Sequence, residues 1–272
     1  TSGFNTLKAN VSATPFEFER QMQYLKKTFN IINCQQLVDY ITKDIPLPPR
    51  SAMVTFDDGY FDNYSQAYPI LRELNIPAVI FLATDYIGTN QPFYWDYIAY
   101  CFSHTKLNHA HLSVVGERTW SNENEKNIVL HEWIETLKKI QEKEKQIAIN
   151  SIATALSVSV PEDAFKGLHL NWQQVREMHK NGIEFGAHTA SHPILTRIPL
   201  HQAQDEIISS KLKIEKEINA PVISFAYPNG GVADFSPNIM QMISQAGISI
   251  AFSLLPGPTF YKTVKKEPFS IR

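Results

Sequence analysis

Residues 52–59 read AMVTFDDG, so that a short apolar run leads directly into two aspartates and a glycine. A run of this kind, closed by polar and turn-forming residues, is typical of a buried β-strand that ends in a loop. We therefore predict a strand over residues 52–56, with Asp57 and Asp58 at its C-terminal end. Gly59 permits a positive φ or a close backbone approach in the loop that follows.

Strands and helices alternate on both sides of this segment. Further strands are predicted over residues 78–82, 183–187, 222–226 and 248–254. Helices are predicted over residues 16–29, 35–41, 64–74, 171–181 and 200–218, and from Ser236 to Gly247. Asn171 is a suitable helix N-cap, and Gly182 a suitable stop. Repeated β-then-α units require parallel strands, in either a barrel or a doubly wound sheet.

The stretch from about residue 89 to residue 166 interrupts this alternation. It opens with the aromatic sequence FYWDY at residues 93–97 and continues through a segment rich in Glu and Lys at residues 123–145. We predict a helical insertion between two strands, with too few apolar residues for a core of its own. The whole chain, residues 1–272, is then a single domain. Trp95 and its aromatic neighbours either pack the insertion onto the main body or form a wall of a substrate groove.

Composition is consistent with one folded domain and excludes some functions. With 272 residues, 43% of them hydrophobic, the chain can bury one large core. A formal charge of −2 gives no electrostatic signature of nucleic-acid binding, and no apolar run reaches the length of a membrane span. The chain begins at Thr1 rather than Met, so that the lack of a signal peptide does not define its location. Cys34 and Cys101 are expected to be buried thiols rather than a disulfide.

A second polar segment follows the predicted strand at residues 183–187, where residues 188–193 read HTASHP. Both polar segments thus come at the ends of strands, where parallel α/β folds place their active sites. Two imidazoles and one carboxylate form a common ligand set for a catalytic divalent metal, with positions left open for water and substrate. His188 and His192 supply the imidazoles from a tight loop or a single helical turn. One aspartate of the pair completes the set, and the other is free to accept a proton from a bound water.

These two motifs together resemble those of the polysaccharide deacetylases of the NodB-homology type, carbohydrate esterase family four. Residues 55–59, TFDDG, are similar to the first motif of that family, and residues 188–193 are similar to the second. Residues 225–230, FAYPNG, are similar to a variant of the third. The resemblance covers both sides of the insertion. It implies an α/β fold, a distorted (β/α) barrel, and hydrolytic removal of acetyl groups from N-acetylated sugars or polysaccharides.

The resemblance also implies roles for individual residues. Asp58, His188 and His192 would bind the divalent metal, and Asp57 would act as the general base toward a metal-bound water. The backbone N–H of Asn229 would help to hold the oxyanion. Further residues are expected to contact the substrate, namely Tyr227, Pro228 and Trp95. Zinc is the preferred metal, and cobalt, nickel, manganese or iron also suit these ligands.

Three features depart from the family pattern. Ala226 stands where the family usually has an arginine that orients the base, and Asn229 replaces a commoner tyrosine. The family often draws its general acid from a histidine near the C-terminus, whereas this chain has no histidine after His201. We expect the acid to lie beyond the end of this sequence, or the amine to be protonated by another group or by a metal-bound water.

Functions of two classes are therefore open. The first is a metal-dependent deacetylase of an acetylated glycan, with a hydrolase of a small non-sugar amide as its variant. The second is a catalytically weak or inactive relative that binds carbohydrate. Retention of both aspartates and both histidines favours the enzyme. The resemblance favours the cell envelope or secretion over the cytoplasm, and the sequence gives no indication of the oligomeric state.

Overall fold

The computed structural model describes residues 13–272, which fall into two compact units. The main unit comprises residues 13–89 and 167–272, and the inserted unit comprises residues 90–166. The helices are, in chain order, α1 (Pro15–Thr28), α2 (Cys34–Lys43), α3 (Tyr68–Glu73), α4 (Tyr94–His104), α5 (Glu123–Leu137), α6 (Glu142–Ala155), α7 (Trp172–Lys180), α8 (Leu200–Ile218), α9 (Pro237–Gln245) and α10 (Tyr261–Lys266). The strands are β1 (Asn30–Ile31), β2 (Ser51–Ala52), β3 (Thr55–Phe56), β4 (Val79–Leu82), β5 (His109–Leu112), β6 (Gly116–Thr119), β7 (Glu184–Ala187), β8 (Ser224–Ala226) and β9 (Ile250–Phe252).

A five-stranded parallel sheet organises the main unit. Its strand order is β3-β4-β7-β8-β9, and each neighbouring pair is parallel. Every residue of β4 is buried. Ile80 and Leu82 pack into one hydrophobic cluster, whereas Val79 and Phe81 pack into another. Both faces of the sheet are therefore covered, as expected for parallel strands that alternate with helices.

The predicted strand over residues 52–56 is divided between two sheets. β2 pairs with β1 in a separate two-stranded sheet, whereas β3 pairs with β4 in the main sheet. Ala52 O accepts from Ile32 N at 2.9 Å, and Val54 O accepts from Val79 N at 3.0 Å. The extended segment thus changes partner part-way along, which a local apolar pattern cannot reveal.

Most helix predictions agree with the structure to within a few residues. The predicted bounds of α8 are correct, and Asn171 caps α7 by accepting from Gln174 N at 3.0 Å. The predicted helix over residues 64–74 is instead a π-helix, Asn63–Ala67, followed by α3. Pro69 has no N–H to continue the regular hydrogen-bond ladder at this junction. α10 was not predicted.

The inserted unit has a hydrophobic core of its own, which corrects the expectation that its apolar content is too low. This core includes the buried side chains of Leu112, Val129, Trp133, Leu137 and Ile152. α5 contains several Glu residues, but its buried apolar residues recur three or four positions apart and so share one face. The unit also contains an antiparallel hairpin, β5-β6, which was not predicted. The single-domain assignment itself stays a prediction.

Both cysteines are buried and free, as predicted. Burial raises the pKa of Cys101 to about 12, so that its thiol is protonated at neutral pH. Among residues 13–272, the helices are all too short or too polar to cross a bilayer.

Candidate metal centre and active site

The loop after β3 carries the aspartate pair in a left-handed turn. Asp58 has φ 74° and Gly59 has φ 77°. Gly59 N donates to Asp57 O at 2.9 Å, which closes the turn around Asp58. A Cβ atom on Gly59 would lie 2.7 Å from Leu82 Cδ2 and 2.8 Å from Ile87 Cδ1. Both properties expected of Gly59, a positive φ and a close approach, are confirmed.

The loop after β7 carries both histidines without forming a helix. His188 N donates to Leu82 O at 3.1 Å, continuing the pairing of β7 with β4. Thr189 and His192 are left-handed, with φ 67° and 62°. The Thr189 hydroxyl accepts from His192 N at 3.0 Å. The tight loop, rather than the helical turn, is therefore the correct alternative for this motif.

These two loops bring Asp58, His188 and His192 together. The two histidine Nε2 atoms lie 3.1 Å apart. Asp58 Oδ1 lies 3.3 Å from His192 Nε2 and 3.6 Å from His188 Nε2. A tetrahedral metal with bonds of about 2.0–2.1 Å separates its ligand atoms by about 3.3 Å. The spacing of the three atoms therefore suits a single metal ion of this kind.

The tautomer of His188 also suits a metal. Its Nδ1 lies 2.7 Å from the carbonyl oxygen of Ala226 at the end of β8. A carbonyl only accepts, so that Nδ1 carries the proton and Nε2 presents its lone pair to the cluster. The His188 side chain is 2% exposed, which holds the ring in this orientation. A histidine ligand is commonly oriented by such a bond to a backbone carbonyl.

Asp57 lies outside this cluster, although it adjoins Asp58 in sequence. Among the described residues, the acids and histidines that could hold a metal ion together are Asp58, His188 and His192. Asp57 is partly exposed. The structure thus separates the two carboxylates, and the Asp57 carboxylate is not among the grouped ligand atoms.

The loop after β8 contains the variant third motif. Asn229 has φ 64° and Gly230 has φ 57°. The buried carboxylate of Asp234 accepts from Asn229 Nδ2 at 2.6 Å and from Gly231 N at 2.8 Å. Leu254 N donates to Gly230 O at 3.0 Å. Asp234 and Leu254 thus fix this loop from two sides.

Two of the predicted substrate contacts, Tyr227 and Pro228, are buried. The Tyr227 side chain is 2% exposed, and its ring stacks on Phe235 at 4.5 Å between centroids. Its hydroxyl donates to Phe269 O at 2.9 Å, so that this side chain belongs to the core. Pro228 is also buried. A substrate contact by Tyr227 or Pro228 stays a prediction, which the burial of these residues just after β8 does not favour.

Trp95, the third predicted contact, belongs to the inserted unit. Its ring stacks on Phe93 at 4.4 Å and meets Tyr94 edge-on at 4.9 Å. It packs against the core of that unit. These contacts all lie within the inserted unit, so that packing onto the main body and a substrate contact by Trp95 both stay predictions.

His169 lies close to the first motif along the backbone. It forms an isolated antiparallel bridge with Tyr60, and its ring stacks on Tyr60 at 5.3 Å and meets Tyr86 at 5.6 Å. Burial lowers the pKa of His169 to about 4, so that the ring is neutral at pH 7. A neutral imidazole cannot donate the proton required of a general acid unless it is first protonated.

Two acids that contact the motif loops were not predicted as part of the site. Asp234 is described above, and Glu206 lies on α8 with 8% exposure. A sequence signal for Glu206 exists, because it shares the buried face of α8 with Ala203, Ile207 and Ser210. An acid at an apolar position of an amphipathic helix needs a buried hydrogen-bond partner.

A sequence model of the polysaccharide deacetylase family matches residues 44–251, which is well over half of the chain. The chain belongs to the polysaccharide deacetylase family. The family prediction is thus confirmed, and two solved structures confirm the distorted (β/α) barrel. The Streptococcus pyogenes deacetylase PplD gives a TM-score of 0.63 at 17% identity, covering 100% of this chain and 84% of that one. IcaB from Ammonifex degensii gives a TM-score of 0.60 at 18% identity, covering 97% and 85%.

Curated relatives match this chain over stretches of different length. YxkH of Bacillus subtilis (strain 168) is 20% identical over 242 residues, which cover 89% of this chain and 58% of YxkH. The poly-beta-1,6-N-acetyl-D-glucosamine N-deacetylase of Staphylococcus epidermidis is 36% identical over 89 residues, covering 32% of this chain and 30% of that enzyme. The matches thus span less than two thirds of the length of these relatives.

Proposed function

We propose that this deacetylase is a metal-dependent hydrolase that removes N-acetyl groups from an N-acetylglucosamine polymer. The observation that carries the proposal is the cluster of Asp58, His188 and His192, with ligand atoms 3.1–3.6 Å apart. A partly exposed second carboxylate, Asp57, adjoins the cluster in sequence without belonging to it. A divalent metal held there would polarise the acetyl carbonyl and make a water molecule more acidic.

The loops after β3 and β8 supply the other groups that the reaction needs. Asp57 accepts a proton from the attacking water, because its carboxylate is not used as a ligand. The backbone N–H of Asn229 donates to the acetyl oxygen as negative charge develops on it. Asp234 holds Asn229 in the left-handed conformation from which this N–H is presented. The loops contain no histidine besides the two proposed ligands. The proton for the leaving amine therefore comes from a group beyond this sequence, from another kind of residue or from a bound water.

The substrate class rests on the named relatives and on the family. The Staphylococcus epidermidis enzyme that matches 89 residues of this chain acts, by its name, on poly-beta-1,6-N-acetyl-D-glucosamine. This relationship favours a β-1,6-linked N-acetylglucosamine polymer as the first substrate to test. Zinc is the preferred metal because two imidazoles and one carboxylate suit it, and cobalt is a practical substitute.

Acetate release tests this proposal. Metal-free protein is loaded with Zn²⁺ or Co²⁺ and incubated with β-1,6-linked or β-1,4-linked N-acetylglucosamine oligomers. We expect metal-dependent acetate release that a chelator abolishes, and a loss of about 100-fold or more in Asp57→Asn, typical of removing a general base. Metal binding without acetate release from either oligomer would contradict the proposal and favour a weak or inactive carbohydrate-binding relative.

A further inference from the structure

Glu206 is a buried acid that belongs to none of the three motifs. It is the seventh of the 19 residues of α8 and is 8% exposed. Among residues 13–272, no ion pair includes Glu206. A buried carboxylate that lacks a cationic partner is stable only when hydrogen bonds replace its lost hydration. The donors to this carboxylate therefore indicate its role.

Within the part of the chain that the structure describes, the Glu206 carboxylate accepts three hydrogen bonds, all from the segment between the two metal-cluster histidines. Its Oε2 atom accepts from Ala190 N and from Ser191 N, each at 2.8 Å. Its Oε1 atom accepts from the Ser191 hydroxyl at 2.5 Å. One side chain of α8 thus binds both residues at the centre of the loop.

This loop needs external support because it is neither a helix nor a strand. Thr189 and His192 adopt left-handed φ values of 67° and 62°, which side chains other than glycine rarely adopt. Two backbone carbonyls of the loop accept hydrogen bonds from the segment after β4. Thr84 N donates to Thr189 O at 3.2 Å, and Asp85 N donates to Ala190 O at 2.9 Å. The backbone N–H groups of the two central residues, Ala190 and Ser191, donate to Glu206.

We infer that Glu206 is a positioning residue for the metal site. By fixing residues 190 and 191, it holds the chain between His188 and His192 in the conformation that places their Nε2 atoms 3.1 Å apart. The inference rests on the proposed function, because it assumes that the cluster binds a metal. It assigns to Glu206 no contact with substrate and no proton transfer.

The test is the Zn²⁺ affinity of metal-free protein, measured by competition with a chelator and accompanied by thermal unfolding of the metal-free form. Glu206→Ala should weaken Zn²⁺ binding by about 10- to 100-fold, as is typical when a partner that orients metal ligands is lost. Glu206→Gln should stay within about threefold of the wild type, because its amide oxygen can accept both N–H groups while its NH₂ donates to the Ser191 hydroxyl. Asp205→Ala is the matched control, an exposed acid one residue earlier on the same helix, and should bind Zn²⁺ like the wild type.

The possible outcomes separate this inference from the proposed function. Wild-type protein that binds no Zn²⁺ would overturn the proposed function and the inference with it. Folded Glu206→Ala that binds Zn²⁺ as tightly as the wild type would overturn the inference alone. Equal losses in Glu206→Ala and Asp205→Ala, or no recovery in Glu206→Gln, would also overturn it. Should Glu206→Ala not fold, Glu206→Asp replaces it: its shorter side chain should give a similar loss, and wild-type affinity there would contradict the inference.

Discussion

Left-handed backbone at residues other than glycine occurs in each of the three loops at the candidate site. Asp58, Thr189, His192 and Asn229 all have φ between 62° and 74°. Such conformations cost free energy and persist only where surrounding contacts impose them. In the second and third loops, Thr189, Glu206 and Asp234 supply such contacts by accepting hydrogen bonds. The site is thus formed by loops that the rest of the main unit holds in conformations unfavourable for an isolated peptide.

Gly59 should be intolerant of any side chain. In Gly59→Ala, the left-handed φ of 77° adds strain, and the new Cβ would lie within 2.8 Å of the Leu82 and Ile87 side chains. We expect a loss of about 3 kcal/mol in the free energy of unfolding, combining backbone strain with overpacking. Urea unfolding of metal-free protein measures this loss.

The control for Gly59 is Gly247. It has a similar φ of 80°, but a Cβ there would meet nothing within 4 Å. Gly247→Ala should therefore cost only about 1 kcal/mol, the strain component alone. Equal costs for the two substitutions would show that the close approach at Gly59 is unimportant.

The sequence predicted which residues would carry the proposed chemistry, but not which side chains beside them are buried. Two aspartates, two histidines and a glycine were identifiable because metal and acid–base chemistry require those types at the ends of strands. The burial of Tyr227 depends on the stacking of its ring on Phe235 and on the hydrogen bond from its hydroxyl to Phe269 O. No local pattern contains that information, because these partners lie further along the chain.

At the level of elements, the third loop depends on one acid outside its motif. Asp234 accepts from the Asn229 side chain and from the Gly231 backbone, and a Cβ on Gly231 would lie 2.8 Å from Asp234 Oδ2. The loop therefore closes tightly around the carboxylate. If Asn229 N–H stabilises the oxyanion, the rate of the chemical step depends on Asp234.

Asp234→Ala should lower kcat by about tenfold and the free energy of unfolding by about 2 kcal/mol, because two hydrogen bonds to a charged acceptor are lost. Zn²⁺ affinity should not change, since Asp234 does not contact the metal cluster. Acetate-release kinetics and Zn²⁺ titration check these outcomes together. Asp234→Asn keeps one acceptor oxygen, so that its losses in kcat and in the free energy of unfolding should be smaller. Weaker Zn²⁺ binding in either variant would contradict the expectation that Asp234 acts on the third loop alone.

Element boundaries were predictable where periodicity and caps agreed, as in α7 and α8. They were not predictable where the choice of a neighbouring strand sets the boundary, as in the division of residues 52–56 between two sheets. The inserted unit shows the same limit. Its Glu- and Lys-rich composition suggested a helix without a core, whereas the spacing of its few apolar residues produces one.

For the whole molecule, His169 should make stability depend on pH. Its pKa is near 6.5 when unfolded and about 4 when folded, because burial disfavours the charged ring. Between these values the unfolded state binds the extra proton, so that stability falls as the pH drops from about 6.5 toward 4. Over this range His169 alone should contribute a loss of up to about 3 kcal/mol.

Replacing His169 with phenylalanine tests this pH dependence, because the ring can still stack between Tyr60 and Tyr86 but cannot titrate. Urea unfolding of metal-free protein at pH 7 and pH 4.5 should show a smaller loss of stability in His169→Phe than in the wild type. His201→Phe, at an exposed position, should lose as much stability as the wild type. Identical losses in all three proteins would contradict a depressed pKa at His169.

The central claim is that two adjacent carboxylates have different tasks: Asp58 binds the metal, and Asp57 accepts the proton. The most direct test is the Zn²⁺ affinity of metal-free Asp57→Asn and Asp58→Asn, compared with that of the wild type. Asp57→Asn should bind one Zn²⁺ within about threefold of the wild-type affinity. Asp58→Asn should lose more affinity than the roughly 10- to 100-fold that is typical when a residue that orients a metal ligand is replaced. Equal affinities in the two variants, or a greater loss in Asp57→Asn, would contradict the account.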